Sequence, residues 1–263
     1  MKKLYILTGK GGVGKTTISL ALASHLSQTS EKNVKFVSFN REVSSDLIKA
    51  ANVEHLDLSL EKSTEIYIGK KLNSKTIASW IMKTPFFMAL YNMLPSLGQM
   101  VTMGHILDLL KDDPELVIVL DSPASGHALS MFESTHNFKK IFGQGPIVKD
   151  IEKMHELLYR EDFLKTYILS LPTEMATKEA TELKEHLSKL NFDNVEIIIN
   201  DCMASNSYLK ENEEELPELL QNKIKLEEKV LEDYQELKAV PHYFLNDTKD
   251  LITKISHGMG ELQ

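Results

Sequence analysis

The chain reads as an α/β fold, with a mainly parallel sheet, helices on both faces and a helical insertion. Three observations predict it. Short apolar runs alternate with stretches of helical period, the pattern of strands joined by crossover helices. One run, Leu116-Val117-Ile118-Val119-Leu120, is apolar throughout, as a strand covered on both faces must be. The first run, Leu4-Tyr5-Ile6-Leu7, opens onto a glycine-rich loop that leads into a helical stretch.

The elements follow in order. Leu4–Leu7 is the first strand and Thr17–Ala23 lies in the helix after the loop. Val34–Phe39 is the second strand. An insertion of about Glu61–Leu110 reads as several helices without a strand, rich in bulky apolar residues such as Trp80, Phe86, Met88, Met93, Met100 and Met103. After the strand Leu116–Leu120, a second helical insertion of about Thr135–Phe163 is broken by Gly143-Gln144-Gly145-Pro146. Tyr167–Leu171 and Val195–Ile199 are strands around a helix of about Met175–Leu190. The charged stretch Glu211–Leu237 reads as a solvated helix with Pro217 near its start, and Val240–Leu245 is the last strand. No repeat or linker divides the chain, so residues 1–263 are expected to form one domain.

Composition narrows the function. Apolar content of 42% and charged content of 26% are ordinary for a globular protein. A net charge of -8 argues against a nucleic-acid partner, which favours a basic balance. The single cysteine, Cys202, excludes an internal disulfide and a C-x-x-C zinc site; it reads as a core or near-core thiol after a strand. The N-terminal apolar run is too short for a signal peptide, and no segment reaches the roughly 18 apolar residues of a membrane span. A cytoplasmic location is expected.

Gly9-Lys10-Gly11-Gly12-Val13-Gly14-Lys15-Thr16 satisfies G-x-x-x-x-G-K-[ST], after a strand and before a helix. Glycines let successive backbone N–H groups turn inward onto phosphate oxygens, and the next helix adds its positive end. Lys15 then serves the β- and γ-phosphates, and the Thr16 hydroxyl is placed for Mg²⁺. Asp121, closing the apolar strand, either organises that Mg²⁺ or caps the following turn.

These residues carry a family resemblance. Lys10-Gly11-Gly12-Val13-Gly14-Lys15-Thr16-Thr17 looks like the deviant Walker A motif, marked by its early lysine. Asp121-Ser122-Pro123-Ala124-Ser125-Gly126-His127-Ala128-Leu129 resembles the D-T-A-P-T-G-H-T-L segment of the arsenite-pump and guided-entry ATPases. Leu171-Pro172-Thr173-Glu174-Met175-Ala176, with Glu179, is similar to a segment of the family's bacterial members. The resemblance implies a P-loop NTPase fold that binds ATP or ADP with Mg²⁺ and acts as a homodimer or as a heterodimer with a related ATPase. It implies that Gly11, Gly12, Val13, Gly14, Lys15, Thr16 and Thr17 hold phosphate, and that Thr16 and Asp121 serve the metal. Asn200 would contact adenine, and Pro241 would begin the loop over the base. Gly126 and His127 would lie in the second switch, with His127 a base or a structural group. Lys10 would reach the partner subunit's nucleotide, an added cation having an evident use at a polyphosphate site; the alternative is a solvated loop lysine.

Two departures qualify this. The first-switch aspartate of the family is matched here by Asn40, in Ser38-Phe39-Asn40-Arg41-Glu42-Val43. An amide can hold a water but cannot take its proton. Hydrolysis is then expected to be slow, to use Glu42 or Asp46, or to need a partner subunit. The alternative function is a slowly hydrolysing scaffold, or the degenerate half of a heterodimer. The family's metalloid-site cysteines and zinc-binding C-x-x-C are also absent, so neither an arsenite nor a zinc site is expected. The Met-rich insertion matches the region that binds an apolar protein client or a membrane partner, while its helical spacing equally suits plain core.

Overall fold

The structure is a computed structural model that describes residues 1–39, 43–85, 87, 89, 95–122 and 146–262. Seven strands form one sheet: β1 (Leu4–Gly9), β2 (Asn33–Ser38), β3 (Glu54–His55), β4 (Leu116–Asp121), β5 (Leu164–Ser170), β6 (Val195–Cys202) and β7 (Lys238–Pro241). Their order is β3-β2-β4-β1-β5-β6-β7, and every pairing is parallel. The predicted α/β class with a parallel sheet is what forms.

The strands alternate their side chains between two apolar layers, as a period of two requires. Leu4, Ile6, Ile118 and Leu120 enter a layer built with α5 (Pro95–Asp112), α6 (Pro146–Leu158) and α7 (Glu174–Lys189). Tyr5, Leu7, Val117 and Val119 enter the opposite layer, against α1 (Lys15–Thr29) and α10 (Thr248–Leu262). α1 lies between the sheet and α10, so Ile18 and the run Leu20–Ala23 are all buried.

Helix starts follow local chemistry. Ser44 caps α2 (Ser45–Ala51), Ser59 caps α3 (Leu60–Leu72), Ser74 caps α4 (Lys75–Met82) and Thr173 caps α7, each accepting a hydrogen bond from a first-turn backbone N–H. Asn52 and Asn73 end α2 and α3 at φ 51° and 50°, a left-handed conformation asparagine tolerates.

The boundaries depart from the sequence reading in several places, among them β5, which starts at Leu164 rather than Tyr167. β3, two residues long, carries no period to read. The last strand spans Lys238–Pro241 rather than Val240–Leu245; the His242 N–H still donates to the Cys202 carbonyl, and no pairing with β6 follows it among the described residues. β6 runs on to Cys202 through a register shift after Ile199. The charged segment is not wholly solvated: two short helices, a 3₁₀ turn and α8 (Ser207–Glu211), precede it. A 3₁₀ turn at Glu213–Glu215 then leads to α9 (Glu218–Asp233), which buries Ile224, Glu227 and Val230.

Within residues 61–110, α3, α4 and most of α5 are helical. Met100 and Met103 of α5 are core, whereas Ile77 and Trp80 of α4 are 51% and 69% exposed. Among the described residues of this region the most exposed large apolar side chains are therefore on α4, with Ile66 and Leu72 of α3 less exposed, and not the α5 methionines. Residues 123–145, holding most of the second-switch segment and the start of the second insertion, are outside the described residues.

Ile118 is fully buried at the centre of the sheet. Ile118→Ala is expected to cost about 2–5 kcal/mol in urea unfolding, against less than about 0.5 kcal/mol for Leu219→Ala on the exposed face of α9. Equal costs for the two would contradict this placement of the core.

Candidate functional site

Parallel pairing brings the C-terminal ends of β1 and β4 level, with Leu7 opposite Asp121 and Gly9 of β1 opposite Leu169 of β5. The loop 10–14 leaves β1 at this edge and turns into α1, so the helix N-terminus points over the strand ends. Gly9 passes so close to β5 that a Cβ there would stand 2.3 Å from the Leu169 carbonyl oxygen. Gly14 closes the loop at φ 87°, and a Cβ on it would meet Asn200 Nδ2 at 2.4 Å. Among the described residues nothing lies within 4 Å of the place a Cβ would take on Gly11 or Gly12.

Lys15 is buried at 7% exposure and folds its ammonium back over the loop, donating to the Gly9 and Lys10 carbonyls at 3.0 and 2.7 Å. Thr16 Oγ1 donates to Asp121 Oδ2 at 2.6 Å, joining α1 to β4. Asp121 is itself fixed by the backbone: the Phe39 N–H donates to its carbonyl, and the Ser122 N–H to that of Leu7. Around these strand ends the buried hydroxyls of Thr8, Ser38 and Ser122 have no hydrogen-bond partner among the described residues. Buried hydroxyls left so are where waters or ligand oxygens belong. A hydroxyl beside a carboxylate is a hard-oxygen donor set, which suits Mg²⁺, and inward N–H groups with a buried lysine suit phosphate. The residues present therefore fit both groups.

Asn200, near the end of β6, donates from Nδ2 to the Val13 carbonyl at 2.9 Å, which ties it to the phosphate loop. Pro241 ends β7 opposite Cys202. Lys10 forms an ion pair with Glu179 of α7 at 2.8 Å, the two side chains 60% and 42% exposed. The early lysine is thus held within the chain, a contact no sequence spacing announces. Cys202 is fully buried, and burial pushes its thiol pKa up, so it is a poor thiolate for redox or metal chemistry. Among the described residues no cluster of His, Cys, Asp or Glu could hold a metal.

Lys10, Gly11, Gly12, Val13, Gly14, Lys15, Thr16, Thr17, Asp121 and Asn200 therefore converge at one edge of the sheet. Asn40, Glu42, Gly126 and His127 lie outside the described residues. Asp46 is exposed in the first turn of α2. Sequence reasoning missed the pairing of Lys10 with Glu179 and the bond from Asn200 to the loop, both of which join residues more than 160 positions apart.

A parallel sheet with a glycine loop, a buried lysine and a threonine–aspartate pair at its carboxyl edge defines a P-loop nucleotide-binding protein. A profile for anion-transporting ATPases matches residues 2–145. The chain is also 25% identical to the ATPase GET3C of Arabidopsis thaliana over 264 aligned positions, covering 77% of this chain and 67% of that protein. The chain belongs to the anion-transporting ATPase family, that of the arsenite-pump and guided-entry ATPases. No helix among the described residues is long and apolar enough to cross a membrane.

Gly14→Ala combines a positive φ with a Cβ placed onto the Asn200 amide. Binding of a fluorescent ATP analogue is expected to weaken by at least about tenfold, the effect of roughly 1.4 kcal/mol or more of strain at this loop. A Gly14→Ala protein that binds as wild type would show that the loop is not the site.

Proposed function

We propose that the chain is a Mg²⁺-dependent ATPase working as a dimer, in which nucleotide state moves a helical region that holds an apolar partner. The observation that carries it is the Thr16–Asp121 contact across the phosphate loop. Family membership supports ATP hydrolysis as the chemistry.

In this reading the amides of loop residues 11–17 bind the phosphates, and Lys15 exchanges the Gly9 and Lys10 carbonyls for phosphate oxygens. Thr16 and Asp121 would hold Mg²⁺, which would supply charge neutralisation to the phosphates. Asn200 contacts the adenine edge with an amide that both donates and accepts. Lys10 leaves Glu179 and reaches the partner subunit's nucleotide. An exposed ion pair is worth only about 0–1 kcal/mol, so its release opposes dimer closure weakly. Placed beside the transferring phosphoryl group, a trans cation stabilises the charge that develops there.

A second reading rests on Asn40. With an amide where the family places an aspartate, the chain holds nucleotide and a second subunit but turns over slowly. Single-turnover hydrolysis separates the two. Lys15→Ala is expected to abolish ATP binding, and Lys10→Ala to keep binding while lowering hydrolysis by roughly 10³-fold, as loss of a trans cation does. Asn40→Asp raises the rate in the scaffold reading. Unchanged hydrolysis in Lys10→Ala would sink the trans role of this lysine.

In this reading the partner surface includes α4, where Ile77 and Trp80 stand one turn apart in solvent. Trp80 is the chain's one tryptophan, so its emission reports this face alone. Adding an apolar helical peptide with MgATP is expected to shift that emission to the blue. No shift at saturating peptide would remove α4 from the partner site.

A further inference from the structure

The turn that follows Asn200 is held from behind by a buried carboxyl. Glu227, in the middle of α9, is 2% exposed. Its Oε2 accepts hydrogen bonds from the backbone N–H groups of Met203 at 2.6 Å and Ala204 at 3.0 Å, with Cys202 Sγ at 3.7 Å. Its other oxygen lies 3.7 Å from Lys223 Nζ. These amides open the 3₁₀ turn Met203–Ser205, which carries no side-chain cap of its own. An acceptor reaching in from a separate helix therefore does what a local serine or aspartate does elsewhere.

The held segment bears on the site in two directions. Upstream, Asp201 sits at φ 62° inside the register shift between Ile199 and Cys202, and Asn200 precedes it with its amide on the phosphate loop. The left-handed conformation, which aspartate tolerates as asparagine does, turns the chain between Asn200 and the Met203–Ser205 turn. Downstream, Asn206 Nδ2 donates to the His242 carbonyl at 2.8 Å, and the His242 N–H donates to the Cys202 carbonyl at 2.9 Å. His242 Nδ1 lies 2.6 Å from Asp201 Oδ1, and its ring meets Phe244 edge-on at 4.5 Å between centroids. The Glu227 carboxyl thus sits behind a closed ring of contacts linking the end of β6 to the loop after β7, with Asn200 at its front.

We propose that Glu227 is a positioning residue for base recognition: by holding the Met203–Ser205 turn, it aims Asn200 and the loop begun by Pro241 at the nucleobase. It touches neither phosphate nor metal, so its effect falls on affinity for the base and spares the triphosphate. The proposal rests on the reading of Asn200 as the adenine contact.

The test compares binding of ATP with binding of inorganic tripolyphosphate, both with Mg²⁺, at a temperature where circular dichroism shows each variant folded. Wild type is expected to prefer ATP, and Asn200→Ala to lose that preference. Glu227→Asp, one methylene too short to reach both amides, is expected to lose roughly 5- to 20-fold in affinity for ATP with tripolyphosphate affinity unchanged. Glu227→Gln keeps an acceptor oxygen in place and restores the preference. Should Glu227→Asp fail to fold, Asn206→Ser decides instead: its hydroxyl still caps α8 at the Leu209 N–H but cannot reach the His242 carbonyl, and the same selective loss is expected. If Asn200→Ala loses the preference while the folded Glu227→Asp, or in its place Asn206→Ser, keeps it, the positioning role is overturned and the Asn200 reading stands. A wild type that binds tripolyphosphate as tightly as ATP overturns both.

Discussion

The candidate site depends on two strand ends being level. Leu7 of β1 lies opposite Asp121 of β4, and only in that register does the Thr16 hydroxyl, at the start of the helix that β1 feeds, meet the Asp121 carboxylate. The register is held by burial. β1 and β4 are apolar on both faces, and each face meets its own layer of helices. A slip of one residue would exchange the two sets of side chains between layers already packed to fit them. The chemistry at the edge of the sheet is thus positioned by its least polar part.

The same edge leaves both lysines of the phosphate loop committed to contacts within the chain. Lys15 folds onto backbone carbonyls and is buried; Lys10 points outward to a carboxylate on α7. The difference follows from placement. Lys15 begins α1 beneath the loop, where an unpaired ammonium would be costly to bury. Lys10 sits at the outer lip, where water screens its pair with Glu179 and makes the contact easy to exchange. One loop therefore presents an inward cation suited to phosphate and an outward one in an exposed, exchangeable ion pair.

Much of the fold was legible because its causes are local. Apolar runs bounded by turns located the main strands, stretches of helical period located helices between them, and the glycine spacing located the phosphate loop. What was not legible depends on distant neighbours. β3 exists because Glu54 and His55 lie beside β2, not because two residues have a strand pattern. α9 reads as charged and solvated, yet one face is core, and its Glu227 satisfies backbone groups on another element. In the insertion, the apolar residues of α4 and α5 look alike in sequence; packing buries Met100 and Met103 and leaves Ile77 and Trp80 in solvent.

By itself, then, the sequence determined that a glycine loop follows a buried strand, that an aspartate ends another, and that one lysine more than phosphate needs stands at the loop's entrance. Each of these is written in residues that are neighbours along the chain. Only the tertiary structure decided that Thr16 reaches Asp121, that Asn200 rests on Val13, that Lys10 is held by Glu179, and that a carboxyl on α9 supports the turn beyond Asn200. Those contacts join residues far apart in sequence, and their geometry comes from strand order and helix packing, which no local pattern of residues specifies.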